Sequence, residues 1–226
     1  MSASGKSRCI RVLGIDPAAA GPTGYAVVES NGRECRSLHY GALKVADKIR
    51  RESAGAALKA VHSLICDLLR EFSPDALAVE SIFSALNVKT ALRLAEVRGV
   101  VLLAAAQHDI QVHSYAPRLI KASVAGYGHA DKRQLQLMVR SLLGLTEIPE
   151  PADAADALAV ALCHLQSEQF RARFLLPLDS AAPRRGSQVL KVHSGKHAAK
   201  RAGAAISATS SRPSRAPYPR QAPFAP

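Results

Sequence analysis

The stretch Pro151-Ala-Asp153-Ala-Ala-Asp156-Ala-Leu-Ala-Val-Ala-Leu-Cys-His164 carries two carboxylates three residues apart, where a proline-led turn runs into an alanine-rich helix. That spacing is nearly one helical turn, so both acids share a face. No basic residue lies within a helical turn of either, which makes the pair a docking point for a hard divalent cation. A competing reading is that acids in a first helical turn cap the helix and favour its dipole. Two further acids sit where strands should end. Arg11-Val-Leu-Gly-Ile-Asp16-Pro17 is a β-branched run closing on an aspartate, and Ala76-Leu-Ala-Val-Glu80 an apolar run closing on a glutamate. For Asp16, followed by Pro17, a plain turn competes. Four acids gathered at one rim would repel one another and hold raised pKa values unless a cation balanced them. Oxygen-only ligands point to magnesium or manganese rather than zinc.

At 226 residues, 48% of them hydrophobic, the chain can bury one core, and no apolar run is long enough to cross a membrane. The start, Met-Ser-Ala-Ser-Gly-Lys-Ser-Arg, has no apolar stretch of the kind a secretory signal needs, so a cytoplasmic protein with no membrane partner is expected. Cys9, Cys35, Cys66 and Cys163 show no paired or metal-binding spacing and are expected as buried free thiols. Of the net charge of +12, residues 177–226 contribute nine bases and one acid, or +8, in a segment rich in Pro, Ser, Ala and Gly. That segment lacks the apolar period of a packed element and is expected to be a disordered basic tail. It is either a solubilising extension or an arm attracting phosphates.

Hydrophobic periodicity predicts strands over Cys9–Ile15, Gly24–Val28 and Arg36–Ala42, the last two joined through Asn31-Gly32, then an amphipathic helix over Arg51–Phe72. After the strand to Glu80 come a helix over Val88–His108, a short strand over Gln111–Ser114, helical segments over Arg118–Val124 and Lys132–Leu143, and the Asp153 helix. This order gives an α/β fold with a mixed sheet flanked by helices.

Those residues resemble the RuvC family of crossover junction endodeoxyribonucleases, on the ribonuclease H-like fold with its five-stranded mixed sheet. The likeness rests on Leu13-Gly-Ile-Asp16-Pro17, Thr23-Gly-Tyr25, Val79-Glu80-Ser-Ile-Phe83, Leu94-Ala-Glu-Val-Arg98-Gly99, Lys121-Ala-Ser-Val-Ala-Gly126-Tyr-Gly128 and Asp153-Ala-Ala-Asp156-Ala-Leu-Ala. The resemblance implies a nuclease domain over residues 9–176 that resolves four-way (Holliday) DNA junctions in recombination and repair. Paired symmetric nicks would leave 5′-phosphate and 3′-hydroxyl ends. It implies Asp16, Glu80, Asp153 and Asp156 as catalytic acids holding two magnesium ions per subunit, with manganese able to substitute. Phe83 matches the family aromatic that stacks on opened bases, with core packing as its alternative. Lys121 and Lys132 match basic residues directed at the scissile region, and Arg93, Arg98 and Arg118 are candidate phosphate contacts. A solvated helix face is the competing reading for each lysine.

The family further implies a homodimer, for which Gly99–Ala106 is the candidate surface and ordinary core packing the competing reading. It also implies a junction-binding protein and a branch-migration motor of the RuvA and RuvB type as partners. After Asp16-Pro17 the chain departs from the family, with Ala18-Ala-Ala-Gly21-Pro22 one residue longer than usual. Three rivals remain. One is a nuclease of the same superfamily cutting RNA or RNA/DNA hybrids. Another is an actin-like phosphotransferase, suggested only by Gly14-Ile-Asp16 and disfavoured by length. The last is a junction-binding module that no longer cuts, against which the four intact acids speak.

Overall fold

In the computed structural model, residues 9–19, 21–46, 53–81 and 87–174 are described. Five strands are formed: β1 (Ile10–Asp16), β2 (Thr23–Ser30), β3 (Cys35–Leu43), β4 (Ala76–Glu80) and β5 (Val112–Tyr115). They make one sheet in the order β3-β2-β1-β4-β5. The first three strands pair antiparallel, whereas β4 runs parallel to β1 and β5 parallel to β4. The expected mixed sheet is therefore found. Most strand bounds lie within one or two residues of those read from periodicity, and ladder pairing carries β1 and β2 into polar positions such as Asp16, Thr23 and Ser30.

Helices α1 (Ala54–Phe72) and α2 (Val88–Gln107) cover one face. Helices α3 (Pro117–Ala125), α4 (Lys132–Leu142) and α5 (Ala152–Phe174) cover the other. Strand alternation sorts the core into two layers. Leu13, Ile15, Val27, Leu77 and Val79 pack with Ile65, Leu68, Val101 and Ala104 on the α1/α2 face. Val12, Ala26, Val28 and Ala78 pack with Val139, Leu158 and Leu162 on the opposite face. Side chains of a strand change face at every residue. Positions 12, 14 and 16 therefore look toward α5, as do 76, 78 and 80. Asp16 and Glu80 thus emerge on the same side of two adjacent parallel strands.

Each helix start has a local cause. Ser53 caps α1 by accepting from the Ala56 amide, and Asn87 caps α2 by accepting from that of Thr90. Asp131 and Gln134 form a reciprocal capping box on α4, and Pro117 opens α3. Helix α5 is buried on nearly every side from Ala154 to Leu165, which its run of alanines permits.

The expectation of four buried thiols is corrected. Cys163 is buried, but Cys35 and Cys66 are half-buried and Cys9 is exposed, because it precedes the first residue of the edge-facing end of β1. Phe83, residues 51 and 52 of the expected first helix, and the basic segment beyond residue 176 lie outside the described residues. No helix among the described residues is long and apolar enough to cross a membrane.

Candidate active site

Asp16 ends β1, Glu80 ends β4, and both lie where parallel neighbours deliver their C-terminal ends to one rim. Asp153 arrives from the first turn of α5 and Asp156 from the start of its second. Two glycines explain how that helix comes so near. A Cβ placed on Gly24, the register partner of Asp16, would lie 2.0 Å from the Asp153 carbonyl oxygen. One on Gly14 would lie 2.3 Å from the Ala157 carbonyl oxygen. Both distances are below any tolerable contact, so the absence of a side chain at these positions lets α5 rest directly on β1 and β2. The helix N-terminus is thereby set beside Asp16.

The electrostatics of the rim follow from this packing. Burial is the largest cause that pushes the Asp16 carboxyl up, to about 8, reinforced by the negative charges of Glu80, Asp156 and Asp153. Burial also raises Glu80, with Asp156 adding to it, while a hydrogen bond from Asp16 and the charge of Lys121 act the other way. Asp156 is held differently, in a 3.0 Å ion pair with the Lys132 ammonium. This contact, a hydrogen bond above all, raises the Lys132 pKa.

Among the described residues, no three acidic, histidine or cysteine side chains are arranged as a ready-made cation cage. The four acids meet at the rim, where burial above all pushes the Asp16 and Glu80 carboxyls up and Asp156 pairs with Lys132. The donor set is all oxygen, and the charges of Glu80, Asp156 and Asp153 add to burial in pushing Asp16 up; both features fit magnesium or manganese.

A recess of about 200 Å³ opens at this rim, lined by Glu80, Asp156, Lys121, Lys132, Pro117, Ile120 and Leu135. Lys121 and Lys132 are therefore at the site. Arg93 and Arg118 are exposed on α2 and at the start of α3. Arg98 makes an internal contact, donating from Nη2 to the Ser114 hydroxyl at 2.7 Å across α2 and β5. Its Nη1 is buried without a hydrogen-bond partner among the described residues. Reading the sequence missed two things here: the Lys132–Asp156 ion pair, which joins α4 to α5, and the platform made by Gly14 and Gly24. The order Thr23-Gly24 opposite an aspartate at a strand end was the available signal for the second.

Comparison with known proteins places this arrangement among nucleases. Residues 12–164 match the family model described as crossover junction endodeoxyribonuclease RuvC. A protein of that name from Caldicellulosiruptor saccharolyticus is 43% identical over 159 residues, covering 70% of this chain and 93% of the relative. Its namesake from Thermosipho melanesiensis is 44% identical over 154 residues, covering 68% and 96%. The structure of Thermus thermophilus RuvC in complex with a Holliday junction substrate superposes with a TM-score of 0.67 at 36% identity, covering 71% of this chain and 96% of that one.

Proposed function

The chain belongs to the RuvC family of crossover junction endodeoxyribonucleases, and from that membership we infer a structure-specific endonuclease that resolves four-way DNA junctions, with Asp16, Glu80, Asp153 and Asp156 as its metal-holding acids. The observation that carries the site assignment is their convergence from three elements onto one rim, where the Asp16 carboxyl is pushed up to about 8. A divalent cation is the family's requirement; two magnesium ions, with manganese able to substitute, is the stoichiometry proposed. Held by those four acids, divalent cations would supply charge neutralisation at the phosphodiester and activation of water, consistent with 5′-phosphate and 3′-hydroxyl ends.

The chain's own residues supply the rest. Lys121 and Lys132 place two ammonium groups at the recess an anionic backbone enters, where they oppose the negative charge that grows on the phosphate during displacement. Arg93 and Arg118 extend positive charge along the exposed flanks, holding the arms through their phosphates. Phe83 is proposed, from the family motif alone, to stack on opened bases. The nuclease domain is taken as residues 9–176, with the basic segment 177–226 as a phosphate-attracting arm. A DNA substrate supports a cytoplasmic site of action.

Two cuts on strands of like polarity require two sites related by a two-fold axis, which a homodimer supplies. Helix α2 supports this reading. Val88, Leu92, Ala95, Gly99, Leu102 and Ala106 recur at spacings of four and three on its outer face and are all exposed, Val88 by 76% and Leu92 by 61%. Of the stretch Gly99–Ala106, the residues Val101, Ala104 and Ala105 instead pack into the core. That stretch thus has one face in the core and one exposed apolar face, and the exposed face supports the dimer reading. Partnership with a junction-binding protein and a branch-migration motor of the RuvA and RuvB type is supported by the family alone.

The decisive experiment incubates the full chain with a synthetic mobile four-way junction, with and without magnesium, and maps cuts on all four strands. Paired symmetric nicks that need magnesium are expected. Asp16→Asn and Glu80→Gln should bind the junction yet nick it at least 100-fold more slowly. Near-normal nicking by either variant, or a preference for RNA/DNA hybrid duplex, would overturn the reading.

A further inference from the structure

The loop between α3 and α4 carries an aromatic pair that the reading above does not use. Tyr127 is 62% exposed and His129 is also exposed, and their rings lie 5.6 Å apart at 49°. A tyrosine so exposed contributes little to the core, and this one does not sit on a loose segment. Gly126 ends α3 in the left-handed region at φ 76°, which a glycine adopts without strain. The Ala130 amide donates to the Tyr127 carbonyl at 3.1 Å, closing a turn. Ala130 is buried, and a Cβ on Gly128 would meet the Arg118 carbonyl oxygen at 3.3 Å, so the loop backbone is pressed onto α3. Asp131 then locks the start of α4 with its capping box. The backbone is fixed at both ends, while the two rings face outward.

The position matters as much as the rigidity. The helices flanking this loop bring Lys121 and Lys132 to the recess with Glu80 and Asp156. Tyr127 lies five residues before Lys132, a chain reach of at most about 17 Å. Along a DNA strand that is about five base steps at 3.4 Å each. The other strongly exposed aromatics among the described residues, Phe170 and Phe174, lie 14 and 18 residues beyond Asp156 along α5, so helical rise carries them about 20 to 27 Å from the acids.

Resting on the junction-cutting function inferred above, we propose that Tyr127 and His129 form a stacking ledge for an unpaired nucleotide of the cleaved strand, within about five steps of the scissile phosphate. Lysines that track the backbone, together with an aromatic face that takes the base, are how proteins hold single-stranded nucleotides, and Lys121 and Lys132 supply the first part here. Junction strands near the crossover are where unpaired bases become available. The ledge binds by stacking, so it accepts any base and fixes how far the strand advances into the recess.

The test uses the full chain and a mobile junction without magnesium, comparing wild type with Tyr127→Ala, Tyr127→Phe and His129→Ala. A stacked base contributes about 1–3 kcal/mol by alanine substitution, so Tyr127→Ala should weaken binding roughly 5- to 150-fold, while Tyr127→Phe stays within about twofold. The slope of log affinity against log salt should not change, because no phosphate contact is lost. Bromodeoxyuridine placed at each of the five positions flanking the cut should photocrosslink wild-type protein at Tyr127 or His129. Wild type that cuts normally, a Tyr127→Ala variant with unaltered affinity, and crosslinks confined to other residues would overturn the ledge alone. Wild type that leaves junctions uncut would remove the functional reading and the ledge with it. The crosslink is read on wild-type protein, so it decides the matter even if a variant folds poorly.

Discussion

Asp16 is the residue at which the site's chemistry can be read from stability. Its folded proton affinity lies far above the ordinary value of 3.8, so the protein without metal binds a proton that the unfolded chain releases. Stability from that group is fully present below the ordinary value and is lost as pH rises through about 8. Glu80 is raised as well and acts in the same sense. Glu29, lowered by its hydrogen bonds from Arg11 and Arg36, acts oppositely, losing its contribution only as pH falls below its ordinary 4.5. Between pH 5.5 and 8.5 the metal-free melting temperature should therefore fall, and added magnesium should raise it by an amount that grows with pH. Differential scanning fluorimetry checks this, and Asp16→Asn should flatten the slope. That Asp16 and Glu80 would face a common rim was legible from two strand ends. Lys132 was not legible as the partner of Asp156, since 24 residues separate them and only the packing of α4 on α5 brings them to 3.0 Å.

At the scale of the element, the approach of α5 to the sheet decides whether the acids meet. Gly24→Ala would drive a methyl into the Asp153 carbonyl, displacing the helix start by about an ångström or more. Misplacement of that size costs on the order of 100-fold in rate, so the variant should keep junction binding while magnesium-dependent nicking collapses, as single-turnover kinetics would show. Helix α4 is held by a different device. Asp131→Ala removes one half of its capping box and should cost about 1 kcal/mol, a drop of roughly 2–4 °C in melting temperature for a domain of this size. Periodicity located α4 to within a residue of its ends and the start of α5, but set no end for α5. It could not rank Gly14 and Gly24, because a glycine inside a strand signals a bulge or a close approach with equal force until the neighbour is known.

For the whole molecule, the proposed pairing of cuts calls for two copies related by a two-fold axis. Leu102→Glu combined with Leu92→Glu puts charge on the outer stripe of α2 without touching Val101 or Ala104 in the core. Sedimentation should then show monomers, and junction cuts should appear as unlinked single nicks. Unchanged dimers would move the two-fold interface elsewhere.

The sequence by itself determined the order of elements, the two strand ends carrying acids, the paired carboxylates on one helix face and the family they resemble. All of these are local patterns of period two or 3.6, or short spacings along the chain. Tertiary structure alone decided that α5 lies against Gly14 and Gly24, that Lys132 answers Asp156, that burial pushes the Asp16 carboxyl up, and that α2 keeps one apolar face in the core and another outside. Each of these depends on which surfaces meet across the sheet, and distances between segments far apart in the chain leave no mark in local pattern.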